Sequence, residues 1–300
     1  MEHEGLRVVA VWRKLRWQAS PSVIARYERQ FLAWLRIMGT ARFSGVVLDY
    51  DGTVCATGSG HSPPAWPERA ELLRLLSAGQ IVGFASGRGR SLHRELRGWV
   101  PESRWPQVIV GMYSGGVILR LTEELPSHGE ISRPDVSGEA AAGLAEAQAR
   151  LSAYSRTVRL DVRLGQVTVK ACHETTSHQA LTALTRSVLA LPPLPAVRVL
   201  ESAHAVDIVP AQISKADVIA VTAGLAGGPV LAIGDQGQPG GNDFALLAHQ
   251  PYSLSVDRCS PDPTRCWNLA PPGVSGPAAL RRYLAALHLD GSGAATCDLL

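Results

Sequence analysis

The sequence predicts an α/β protein, a doubly wound Rossmann-like core interrupted in its middle by a smaller α+β cap. Three observations predict it. Short apolar runs alternate with amphipathic segments over residues 44–119 and again over residues 206–288. Between them, residues 120–205 change texture to alternating strands and an alanine-rich helix. Acidic, hydroxyl and ammonium side chains fall at strand ends and helix starts, where open α/β sheets bind their ligands. A chain of 300 residues is long enough to bury the core this requires.

Residues 1–43 read as a basic extension. Residues 1–42 hold eight Lys or Arg against three Glu, a net charge of +5, so the remainder of a chain of net charge +3 carries −2. Within the extension, residues 20–38 predict a helix, with Ser20 as its cap and Pro21 in its first turn. Ile24, Tyr27, Phe31, Leu35 and Met38 recur on one face. A helix packed on the body or on a second copy is expected, with self-association through it as one partner expectation. Its arginines read as a solvated face rather than a nucleic-acid or membrane arm.

The core begins at residues 45–50, GVVLDY, whose continuous apolar character suits a buried parallel strand. A helix follows at 68–77, a strand at 81–85, a helix at 90–98, a strand at 108–110 and another apolar run at 117–121. In the middle section, residues 138–153 predict a helix. Residues 158–163 and 166–171 alternate across Leu164-Gly165 as a hairpin, and 177–190 are helical until PPLP at 192–195. Strands are expected at 197–200 and 205–209. The α/β rhythm then resumes with a helix at 214–223, a strand at 230–233, a helix at 242–248, a strand at 252–256 and a last helix at 277–287. Residues 289–300 are small and polar and are expected to fray. No apolar run approaches a membrane span, and no secretory h-region opens the chain, so a soluble cytoplasmic protein is expected. The five cysteines are odd in number and form no CxxC pair, which suits reduced thiols rather than disulfides or a zinc site.

Four groups carry chemistry. In VVLDYDGTV, Asp49 and Asp51 leave an apolar strand at a glycine turn. A carboxylate there can attack phosphorus, a second can protonate the leaving oxygen, and Gly52 lets main-chain N–H groups face phosphate oxygens. In FASGRGR, Ser86 and Gly87 follow a second apolar strand and can bind a phosphate oxygen. Lys215, one of only three lysines with Lys14 and Lys170, opens a helix and can offset negative charge. In LAIGDQGQPGGNDFALL, Asp235 ends a strand, and Asn242 and Asp243 open a helix. Asp49, the main-chain carbonyl of Asp51, and Asp235 would supply the hard oxygens that Mg2+ prefers. Phosphate monoester hydrolysis is among the slowest uncatalysed reactions, so such groups must together remove on the order of 20 kcal/mol from the barrier.

DYDGT, Ser86, Lys215 and GD…ND, in this order over residues 44–288, resemble the four motifs of the haloacid dehalogenase superfamily. The position of the cap, and the run HAVDIVPAQISKADVI, resemble the C2B-capped branch, which includes sugar phosphatases of the Cof, sucrose-phosphatase and trehalose-phosphatase kinds and the phosphomannomutases. The resemblance implies a magnesium-dependent phosphatase acting on a small phosphorylated metabolite, a sugar phosphate by preference, through an aspartyl-phosphate. Asp49 is then the nucleophile and Asp51 the general acid/base. Gly52, Thr53, Ser86, Gly87 and Lys215 bind phosphate, Asp49, Asp51 and Asp235 serve the metal, and Asn242 and Asp243 support them. The spacing of eight from Asp235 to Asp243 departs from the branch's usual GDxxND and is similar to phosphomannomutase, whereas FASGR looks like the phosphatases. A phosphohexomutase is therefore the alternative, and a non-catalytic interaction protein a third reading. Arg159, Arg163, Lys170 and His173 are the candidate substrate contacts of the cap.

Overall fold

Two helices, not one, precede the first strand. The computed structural model describes residues 2–15, 19–56, 63–125, 138–163, 165–173, 176–190, 192–194, 196–202, 204–291 and 293–298. α1 (Glu2–Leu15) is unanticipated by the sequence reading, and α2 (Pro21–Thr40) starts at the expected proline. Ser20 does not cap α2 with its side chain; its hydroxyl meets that of Ser22 at 3.0 Å. α2 buries Phe31, Trp34 and Met38 against the body, with the Phe31 ring edge-on to Trp267 at 4.9 Å and Trp34 Nε1 donating to the Pro251 carbonyl. At the end of α1 the Lys14 ammonium, 5% exposed, donates to the carbonyls of Ser260, Asp262 and Arg265. Those three bonds satisfy all its protons, which is how a buried lysine is tolerated here.

The chain continues through β1 (Gly45–Asp49), α3 (Trp66–Ser77), β2 (Ile81–Ala85), α4 (Arg90–Trp99), β3 (Val108–Met112) and β4 (Val117–Arg120). The middle section holds α5 (Glu139–Ser152), β5 (Val158–Arg163), β6 (Gln166–Ala171), α6 (His178–Ala190), β7 (Val197–Glu201) and β8 (Val206–Pro210). Leu164 of the expected hairpin turn and Pro195 of PPLP lie outside the described residues. α7 (Ala216–Ala226), β9 (Val230–Gln236), α8 (Phe244–Ala248), β10 (Ser253–Arg258) and α9 (Gly276–Ala285) return to the core, followed by β11 (Leu287–Leu289) and β12 (Ala295–Cys297).

The main sheet has the order β10-β9-β1-β2-β3-β4, parallel except for β4. Strand β1 sits inside it with Val46, Val47 and Leu48 wholly buried. Val46 and Leu48 pack with Leu72 and Leu75 of α3, whereas Val47 packs on the other face with Val218 and Ile219 of α7. Each such side chain contributes roughly 1.5–3 kcal/mol by leaving water. Covering both faces leaves only the carboxyl ends of the strands open, and Asp49 lies there between β2 and β9.

The second sheet is antiparallel, with order β5-β6-β8-β7, and α5 and α6 cover one face of it. This corrects the expected boundary after residue 205. β8 pairs with β6 and β7, because Val206 and Ile208 bury in the same cluster as Val167 and Val169. The expected frayed tail is also corrected: β12 pairs antiparallel with β11, and Ala295 exchanges main-chain bonds with Phe43. Ala295 and Cys297 are buried there, which a reading of local polarity misses. The five cysteines form no disulfide. Among the described residues no helix is long and apolar enough to cross a membrane.

Candidate active site

Asp49 closes β1 at 1% exposure, and a lysine finds it. Lys215 precedes α7, and its ammonium donates to Asp49 Oδ1 and to Asp243 Oδ1, both at 2.6 Å. Asp243 spends its other oxygen on the main-chain N–H groups of Asp235 (3.0 Å) and Gln236 (3.1 Å). Gly234 is required for this closeness, since a Cβ there would lie 2.8 Å from Asp243 Oδ2. One carboxylate oxygen each from Asp49, Asp235 and Asp243 falls within 4.8 Å of the others.

Three buried carboxylates and one ammonium leave an excess of negative charge. Burial, then the Asp243 carboxylate, push Asp49 above the usual carboxylate range against the pull of Lys215. Asp235 is raised for the same reasons, burial first and then Asp243 and Asp49. Burial acts upward on Asp243 too, but Lys215 and the donors around it outweigh that and hold it low. Burial would pull Lys215 down, yet Asp243 and Asp49 outweigh it and hold the ammonium above the ordinary lysine range.

Asp49 Oδ2 and Asp235 Oδ1 are buried with no hydrogen-bond partner among the described residues. Asp243 is fully engaged. The two bare oxygens and the surplus charge fit a divalent cation with a preference for hard oxygen, so Asp49 and Asp235 are the side chains that would hold it. The Asp51 carboxylate is turned elsewhere: Arg88 Nε binds it at 2.8 Å, and the same guanidinium reaches Glu95 Oε2 at 2.8 Å. Tyr50 donates to the other Glu95 oxygen at 2.6 Å. The Asp51 carboxylate is thus engaged away from the Asp49–Asp235–Asp243 cluster.

A cavity of about 350 Å³ opens between the main sheet and the cap. Asp49, Asp51, Ser86, Gly87, Arg88, Ser91, Asp235 and Asn242 form its core wall. Lys215 and Asp243 lie beneath rather than on it, and Gly52 and Thr53 are not on it either. Thr53 is wholly buried with its hydroxyl unpartnered among the described residues. Ser86 Oγ accepts the Arg88 main-chain N–H at 3.0 Å, which shapes the turn after β2. From the cap come Arg163, Gln166, Thr168, Lys170, Ser202, His204 and Asp207. Of the four expected cap contacts, Arg163 and Lys170 reach the cavity, while Arg159 and His173 do not. Asp207 is a buried cap group. Its Oδ1 accepts Gln166 Nε2 at 2.8 Å and Thr168 Oγ1 at 2.6 Å, and its Oδ2 lies 3.2 Å from where a Gly87 Cβ would stand. Burial raises its carboxyl.

No protein-family model and no curated protein matches the chain. Solved structures do. The C-terminal domain of trehalose-6-phosphate phosphatase from C. albicans superposes with a TM-score of 0.58 at 14% identity, over 85% of this chain and 95% of that one. The IMP-bound, N-terminally truncated IMP-nucleotidase of Plasmodium falciparum gives 0.59 at 11% identity, over 93% and 78%. The trehalose-6-phosphate phosphatase of Aspergillus fumigatus gives 0.51 at 17%, over 86% and 96%. The fold is the capped haloacid dehalogenase fold. In this core the four expected motif groups converge on one end of one sheet.

Sequence reasoning missed Arg88, Asp207, Gln166, Thr168 and Gln236 as site residues. For the cap residues a signal existed. Gln166, Thr168 and Lys170 alternate along β6, and Thr168 faces Asp207 across the β6–β8 pair, so all four share one face. For Gln236 there was none, since a glutamine in a glycine-rich loop declares no role.

Proposed function

We propose that this chain is a phosphoric monoester hydrolase in which Asp49 accepts the phosphoryl group. The observation that carries the reading is the Lys215 bridge between Asp49 and Asp243 beside two bare carboxylate oxygens. A carboxylate attacking a phosphate dianion needs positive charge that is already in place, and here one ammonium is locked in and a divalent site adjoins it. Magnesium, when bound by Asp49 and Asp235, would neutralise phosphate charge.

An Asp49 oxygen attacks phosphorus, the P–O bond to the leaving group breaks, and Asp51 delivers a proton to the departing oxygen. Water, deprotonated by Asp51, then cleaves the aspartyl-phosphate, releasing phosphate and restoring Asp49. The Arg88–Asp51 pair must open for Asp51 to turn to that oxygen, so Arg88 parks the acid between turnovers. Ser86 and Gly87 receive the phosphoryl oxygens at the turn after β2.

The cap wall favours a sugar phosphate as substrate. It offers Arg163, Gln166, Thr168, Lys170, Ser202 and Asp207 as hydrogen-bonding partners for hydroxyl groups, and His204 is the one ring among the described residues of that wall. The structural neighbours include trehalose-6-phosphate phosphatases and an IMP-nucleotidase, so both substrate classes belong in the test.

Phosphate release across a panel of hexose, disaccharide and nucleoside monophosphates, with and without Mg2+, tests the reading. Release is expected from sugar phosphates, dependent on Mg2+, and lowered by about 10⁴-fold or more in Asp49→Asn. Undiminished turnover in that variant refutes the mechanism. Isomerisation of a hexose monophosphate without free phosphate would replace hydrolysis by the mutase alternative, which the spacing of Asp235 and Asp243 favours.

A further inference from the structure

β9 does not stop at its carboxylate. It runs on through Gln236, and two buried glutamines stand behind Asp235 in series. Gln236 Nε2 donates to Asp235 Oδ2 at 2.9 Å, and Gln238 Nε2 donates to Gln236 Oε1 at 2.9 Å. Their exposures are 4% and 6%. Chemistry fixes the direction of this relay. As a metal ligand Asp235 is ionised and only accepts, so there Gln236 turns its NH2 group to Asp235 and its carbonyl to Gln238.

The loop is shaped to keep the relay in place. The Gln236 main-chain N–H is bound by Asp243 Oδ2. A Cβ on Gly241 would run into the Gln236 carbonyl, and one on Gly237 would lie 2.5 Å from Cys266 Sγ. The outcome is an asymmetric carboxylate. Asp235 Oδ2 is committed to an amide, while Oδ1 is buried and bare.

We propose that Gln236, braced by Gln238, confines Asp235 to one ligand oxygen and so makes the site prefer magnesium over calcium. The inference rests on the metal-assisted reading of the site above. Magnesium demands compact octahedral geometry and takes one oxygen from each carboxylate. Calcium accepts six to eight oxygens and readily uses both oxygens of a carboxylate. An amide on Oδ2 closes the bidentate mode. Gln236 is in this sense a positioning residue that acts through Asp235.

The test is calorimetric titration of metal-free protein with Mg2+ and, separately, Ca2+, in the absence of substrate. In Gln236→Leu, Mg2+ affinity is expected to fall about 10–100-fold, with Ca2+ affinity falling far less, so that the Mg2+:Ca2+ preference drops at least about tenfold. Gln238→Ala removes only the brace and is expected to shift the ratio the same way by less; it decides the matter if the leucine variant does not fold. An unchanged ratio in the folded variants, with Mg2+ binding lost in Asp235→Asn, overturns the role of the glutamines and leaves the phosphatase reading standing. Parental Mg2+ binding in Asp235→Asn overturns both, since Asp235 is then no ligand.

Discussion

Strand β1 of the core and strand β6 of the cap are near in length and opposite in design. β1 buries Gly45, Val46, Val47, Leu48 and Asp49 alike and offers chemistry once, at its last residue. β6 buries its valines against helices and puts Gln166, Thr168 and Lys170 on the face toward the cavity. The difference follows from what covers each sheet. A parallel sheet with helices on both faces has only its ends free, whereas an antiparallel sheet with helices on one face leaves the other to read a ligand. The core thus keeps Asp49 at one enclosed strand end, and the cap presents an open face of hydrogen-bonding side chains to the cavity.

Three substitutions probe that contrast, the most disruptive lying in the core. Lys215→Met leaves Asp49 and Asp243 facing each other without their cation. A loss of about 3–5 kcal/mol in stability is expected, with turnover reduced by about 10²–10³-fold for every substrate alike. Thermal melting and steady-state rates check it, and a parental melting temperature would break the idea that the core depends on this cation.

Asp207→Asn comes next. Removing one charged acceptor from the cap is expected to raise KM for a hexose phosphate about tenfold or more, while p-nitrophenyl phosphate, whose leaving group carries no hydroxyl, changes by less than about threefold. Equal losses on both would move Asp207 from reading the leaving group to supporting the chemistry. The smallest effect is expected from Arg159→Ala. Its side chain is exposed and off the cavity wall, so stability should hold within about 0.5 kcal/mol and rates should be parental. A tenfold loss there would extend the reading surface outward along β5.

Much of the core was legible because its signals are local. An apolar run that ends in Asp49, Ser86 or Asp235 announces a buried strand and its open end in the same few residues. Lys215 stood out by scarcity. What stayed hidden depends on pairing over distance. The run that became β8 was recognisable as a strand, but nothing in VDIVP says which sheet it joins, and so Asp207 was assigned to the core half of the chain rather than to the cap. Arg88 stands within FASGRGR, yet its bond to Asp51 spans 37 residues. α1 carries Gly5 and three valines, residues of modest helix propensity, and is held by burying Ala10 and Val11 in the core and by Lys14 and Arg13 gripping carbonyls more than 240 residues away. The closing hairpin of β11 and β12 was hidden by its small residues, whose burial only the fold creates.

Asp207 and Lys215 are separated by eight positions in the chain, one on the last paired stretch of the cap and the other beneath Asp49. The short span between them is the tether by which cap and core are joined on this side. Its slack is limited: Ala211 is tied back to Ala196, Arg198 holds the Ile213 carbonyl, and Ser214 abuts Gly115 so closely that a methyl group there would not fit. Cap and core are therefore pinned together on this side by contacts made along the tether itself, so the face that carries Asp207 and the end of β1 that carries Asp49 are held in one register.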